Sequence, residues 1–164
     1  MKKTFGKKAL VVLLIALMVP GTFMACSNGT TKKETVTKDV SVGFPAYTSG
    51  QTSISFAPTY APDGGWGEHF GPSDITYTVT CEELGKTYDG SNSFTAKISD
   101  GYSNFITYTF TQTFKMGNTV IGSQVIKIEV MGGGFGVLKN AGGTNLSPQV
   151  IPPVNLTLCK EVEK

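Results

Sequence analysis

The chain contains no arginine among its 164 residues. Two-point grip on phosphate usually comes from guanidinium groups, and lysine is a weaker substitute. A nucleic-acid partner is therefore not expected. Histidine occurs once, at His69, and tryptophan once, at Trp66. A single histidine gives no His-His pair for zinc. No Walker or dinucleotide loop is present, and no nucleophile stands beside a base motif. No catalytic residue, no resident metal and no cofactor are expected. The apolar stretch from Ala9 to Ala25 is interrupted by Pro20 and Gly21. It falls short of the roughly 20 apolar residues that cross a bilayer. Cysteine is also scarce: Cys26, Cys81 and Cys159 are the only three.

What is present begins with a leader. Lys2, Lys3, Lys7 and Lys8 form a cationic start, and Ala9 to Val19 is continuously apolar. Pro20-Gly21 breaks the run, and Thr22-Phe23-Met24-Ala25 leads into Cys26. Basic, then apolar, then a small residue before the cut is the order of a secretory signal peptide. With cysteine directly after the cut, the segment resembles the lipobox of bacterial lipoproteins. Phe23 and Met24 depart from the usual Leu and small residue of that motif. The resemblance implies cleavage before Cys26, lipid on its thiol and a membrane-anchored, exported location in the bacterial cell envelope. Cleavage by ordinary signal peptidase and retention as an uncleaved anchor are the rival readings. One acyl chain holds a protein only marginally, so a stable anchor needs two or more.

Removing residues 1–25 discards four lysines and no acid, which turns the formal charge of +2 into −2. The apparent basicity belongs to the leader. The domain boundaries expected are 1–25 signal peptide, 26–35 lipidated cysteine and polar tether, and 36–164 folded domain. Export permits disulfides. A Cys81–Cys159 bridge is the expectation, with two separate buried thiols as the alternative.

Within the folded part, hydrophobicity alternates with period two. Val36, Val40, Val42 and Phe44 share one phase, as do Ile54 and Phe56. Ile75, Tyr77, Val79 and Cys81 share a face, with Thr76, Thr78 and Thr80 on the other. Phe94, Ala96 and Ile98 follow, then Ile106, Tyr108, Phe110 and Phe114, then Val120 to Val130. Gly132 to Gly136 reads as a crossover or bulged strand. Val137-Leu138 and Val154-Leu156-Leu158 complete the set, and no segment has helical spacing. Short strands separated by turn signals predict an all-β antiparallel sandwich. Met116-Gly117-Asn118-Thr119 marks a hairpin. Core burial favours the register that sets Phe110 against Ile126, Tyr108 against Ile128 and Ile106 against Val130. That register requires either a three-residue loop or a bulge near Gly122.

Thr52 to about Val130 is similar to a fibronectin type III or immunoglobulin-like domain. Ile54-Ser55-Phe56 before Pro58 resembles the family's B strand, with Phe56 where a tryptophan is usual. Ile75 to Val79 resembles the C strand, Tyr108-Thr109-Phe110 the F strand and Val120 to Val130 the G strand. The resemblance implies architecture only, because this fold hosts many functions.

The segment from Tyr60 to Pro72 is rich in glycine and proline, and loops on a rigid scaffold often carry function. Asp63, Glu68, His69 and Asp74 have no zinc or EF-hand spacing. Tyr60, Trp66, Glu68, His69 and Phe70 form the candidate ligand site, in which exposed rings would stack on sugars or anchor a protein. In the competing reading, Trp66 and Phe70 turn inward and plug the sandwich. The fibronectin-like frame places this loop beside the Gly117-Asn118 turn, at a pole opposite or lateral to the tether. The function expected is that of a lipid-anchored, non-catalytic interaction or structural module. A carbohydrate-binding module is the alternative and an envelope hydrolase the third reading. The partners expected are the membrane, through lipid on Cys26, and an envelope protein or glycan.

Overall fold

A computed structural model describes residues 33–48, 53–89, 94–97, 106–131 and 135–163. The fold is all-β, with two antiparallel layers. Ten strands are described: β1 (Lys33–Gly43), β2 (Ser53–Phe56), β3 (Thr59–Pro62), β4 (Thr76–Cys81), β5 (Lys86–Asp89), β6 (Phe94–Lys97), β7 (Ile106–Met116), β8 (Thr119–Met131), β9 (Phe135–Asn140) and β10 (Val154–Glu163). A five-stranded sheet has the order β5-β4-β7-β8-β9. Facing it lie a three-stranded sheet, β10-β1-β3, and the pair β2-β6. Among the described residues the one helical element is a 3₁₀ turn at Pro72–Asp74.

The alternation read from the sequence places the core. Ile75, Tyr77, Val79 and Cys81 are all buried, as are Phe110 and Phe114 on β7 and Ile126, Ile128 and Val130 on β8. From the opposite layer come Val40, Val42, Ile54, Phe56, Leu156 and Leu158. Ring contacts join the layers. Phe56 meets Phe110 at 5.0 Å between centroids, and Phe44 lies 6.1 Å from Tyr77. Burying large aromatics edge to face or offset adds to their area-based stabilisation.

The β7–β8 hairpin takes the favoured register: Phe110 pairs with Ile126, Tyr108 with Ile128 and Ile106 with Val130. Met116 pairs with Thr119, so the loop is the two-residue Gly117-Asn118, and the register shifts between Phe114 and Lys115 to absorb one extra residue. Positive φ falls on Gly117 alone, at 56°. That matches a turn with glycine in its first central position. Gly122, beside the bulge, is where Leu156 of β10 crosses β8. A Cβ there would collide with Leu156 Cδ2.

Two boundaries differ from expectation. β1 begins at Lys33, inside the segment read as tether, because Lys33, Glu34 and Thr35 pair with Glu163, Val162 and Glu161 of β10. The polar composition of this stretch hides a strand whose backbone bonds supply what its side chains do not. Thr59–Pro62, read as the start of a loop, is the short edge strand β3 against Val40 to Gly43. Ile98 and Gly132 to Gly134 lie outside the described residues.

Candidate functional site

The loop between β3 and β4 is built on a frame of lysines. In β1 and β10, the even-numbered positions face the interior: Val40, Val42, Leu156 and Leu158 are buried. Lys38 and Lys160 share that phase, so both side chains point under the β1–β10 ribbon. The loop fills this space. Lys38 Nζ donates to the carbonyl oxygen of Asp63 at 3.0 Å, and Lys160 Nζ donates to that of His69 at 2.8 Å. Asp63 N–H adds a backbone bond to Asp39 O at 3.0 Å.

Lys160 has two further partners. Its ammonium lies 2.7 Å from Asp74 Oδ1 and 5.3 Å from the centre of the Phe70 ring. Asp74 Oδ2 accepts the Gly71 N–H at 2.8 Å, closing the 3₁₀ turn that leads into β4. Burial alone would raise the Asp74 carboxyl. The Lys160 hydrogen bond, the Gly71 N–H and the Lys160 charge outweigh it and hold the group below its ordinary value.

The candidate residues divide over this frame. Tyr60 stands on β3 opposite Val42. Trp66 meets the Tyr60 ring edge-on at 6.3 Å between centroids. Tyr60, Trp66 and Phe70 are half-buried and pack against the core. Glu68 and His69 face solvent and pair with each other, with His69 Nε2 3.2 Å from Glu68 Oε1. The turn through Gly64, Gly65 and Gly67 uses positive φ at all three. The rings thus belong to the packed end of the sandwich, and the polar pair lies outside it. The Tyr60 hydroxyl is the one buried side-chain polar atom without a hydrogen bond among the described residues.

The loop's position also differs from expectation. It does share an end with the Gly117-Asn118 turn, since Thr76 at the start of β4 pairs with Lys115. That end is not opposite the tether. Lys160, which holds the loop, pairs with Val36, and β1 begins three residues earlier at Lys33. β1 therefore starts at the loop's own end. It precedes the stretch similar to a fibronectin-like domain and runs beside β10, which follows that stretch.

The Cys81–Cys159 bridge does not form. Cys81 is a buried free thiol on β4. Its Sγ donates to Glu83 Oε2 at 3.3 Å, and burial pushes its pKa up to about 11. Cys159, on β10 opposite Thr37, is disulfide-bonded, and Cys81 is not its partner. The two strands belong to different sheets, and period two says nothing about where those sheets cross. Cys26 lies outside the described residues.

Among the described residues no group of three His, Cys, Asp or Glu side chains could hold a metal, and no helix is long and apolar enough to cross a membrane. Sequence reasoning missed Lys38 and Lys160. Their signal was present: each is a charge standing in the apolar phase of a strand. No family model, no curated protein and no solved structure matches this chain.

Proposed function

We propose that this chain is an exported, lipid-anchored envelope protein whose β-sandwich is a non-catalytic interaction module with an immunoglobulin- or fibronectin-like arrangement. The observation that carries the reading is the basic-apolar leader ending in Ala25-Cys26, followed by a β-sandwich domain. The strand order adds support. The order β5-β4-β7-β8 is compatible with the C′-C-F-G order of fibronectin-like sheets, and the pairing of β2 with β6 with a B–E pair.

Detergent phase partition tests the anchor. The wild-type protein, expressed in a bacterial host, enters the detergent phase, and Cys26→Ala moves it to the aqueous phase. Equal aqueous recovery of both forms contradicts the proposal.

A further inference from the structure

The outer face of the three-stranded sheet carries a groove of about 450 Å³, lined by Val40 and Leu156 and by the outward residues Asp39, Ser41, Ala61, Asp63, Asn155 and Thr157. Strand register accounts for it. Asp39 stands opposite Thr157, and Ser41 stands between Asn155 on one side and Ala61 on the other. These are the outward positions of strands whose inward positions are Val40, Val42, Leu156 and Leu158. All six side chains are short, so the sheet surface is hollow between them. The volume lies within the roughly 300–1,000 Å³ typical of small-ligand sites.

The chemistry of the lining is selective. It has two carboxylates, a carboxamide and two hydroxyls, and no cationic side chain. Thr157 Oγ1 donates to Asp39 Oδ1 at 2.6 Å, which fixes that carboxylate and leaves its second oxygen open. Hydrogen-bonding side chains stand in two adjacent rows, Asp39-Thr157 and Ser41-Asn155, the second continued by Ala61. A sugar hydroxyl both donates and accepts, so neighbouring hydroxyls on a ring suit such rows. Ala61 offers a flat floor where a larger side chain would fill the space. Phosphate, sulfate and carboxylate groups would meet the like charges of Asp39 and Asp63. The acids do not converge as a cation site needs, since no three metal-binding side chains cluster among the described residues.

We infer that this groove binds a neutral glycan, through Asp39, Asp63, Asn155 and Ser41 rather than through the loop aromatics. The inference rests on the reading of the domain as a non-catalytic interaction module and gives that module its ligand class and its face.

The test uses the full chain purified in detergent, screened on an array of neutral and acidic oligosaccharides. Titration calorimetry with the best neutral oligosaccharide follows. Neutral glycans are retained and acidic ones are not. Ala61→Phe, on the exposed face of an edge strand, and Asp39→Asn each weaken binding about tenfold or more. Asn155→Ala does the same and guards against misfolding of the other two. Trp66→Phe leaves the affinity unchanged. No retained neutral glycan overturns the inference and leaves the interaction-module reading standing. So does equal capture of acidic glycans, binding abolished by a chelator, or binding indifferent to Ala61→Phe and Asn155→Ala. Neutral-glycan binding accompanied by release of shortened sugars supports the groove and contradicts the non-catalytic reading.

Discussion

At the scale of single residues, the informative positions are polar groups standing where the alternation expects apolar ones. Gln112 falls in phase with Phe110 and Phe114 on β7 and is fully buried. Its carbonyl oxygen accepts the Tyr77 hydroxyl at 2.6 Å, and its amide donates to Gln124 at 3.4 Å. Gln124 then donates to Pro152 O at 3.2 Å. This chain of side chains ties β4 to β7, β8 and the segment before β10. Gln112→Leu keeps the volume but removes the buried acceptor of the Tyr77 hydroxyl, and the expected loss is about 1–3 kcal/mol by urea denaturation. Gly136 is informative for a steric reason, because a Cβ there would overlap the Tyr47 hydroxyl and ring. Gly136→Ala should cost about 1–3 kcal/mol through overpacking, measured the same way. Cys81 behaves as a small core residue. With its pKa raised to about 11 by burial, native protein near pH 8 should leave it unalkylated until denaturant is added. Rapid native labelling of Cys81 would contradict its placement.

At the scale of elements, the strands with clean alternation were legible and the short or polar ones were not. β4, β7 and β8 have an apolar face long enough to fix both existence and register, since a one-residue slip would expose that face. β3 and β5 are four-residue edge strands whose side chains are mostly exposed or half-buried, so they carry almost no periodic signal. The first turn of β1 is held by backbone pairing to β10 and by the exposed Lys33–Glu161 pair at 3.5 Å. Neither leaves a mark in hydropathy. The candidate loop was legible from its glycines, but its clamp was not, because Lys38 and Lys160 come from strands distant in sequence from the loop and from Asp74. That clamp gives the loop a pH dependence. The folded-state pKa of Asp74 is lowered, so the unfolded chain binds the proton more readily. Stability from this carboxylate is present above the unfolded value of about 3.9 and is lost as pH falls through the folded one. Hydrogen exchange of Gly71 and its neighbours should therefore accelerate specifically below about pH 4. Lys160→Met should produce faster exchange at neutral pH and shrink the acid step to the part owed to the Gly71 N–H. An unchanged acid step in Lys160→Met would show that Asp74 is not held as described.

At the scale of the whole molecule, the packing places the loop and the first residues of β1 at one end of the sandwich. A lipid on Cys26 would hold that end toward the membrane. The groove on the outer face of β10-β1-β3 would stand to the side, with its acidic lining open to the envelope. Period two gave the layers of this arrangement, because it reports which face of each strand is buried. It could not give the crossing of the layers, the course of β1 beside β10, or the separation of Cys81 from Cys159. Those depend on pairings between distant segments that single-strand patterns do not encode. The fate of Cys26 bears on the account more than any of these. Intact-mass analysis of the protein from bacterial membranes reads it directly. The account predicts a chain beginning at Cys26 and heavier by two or more acyl chains. A chain of unmodified mass that still carries residues 1–25 would contradict it.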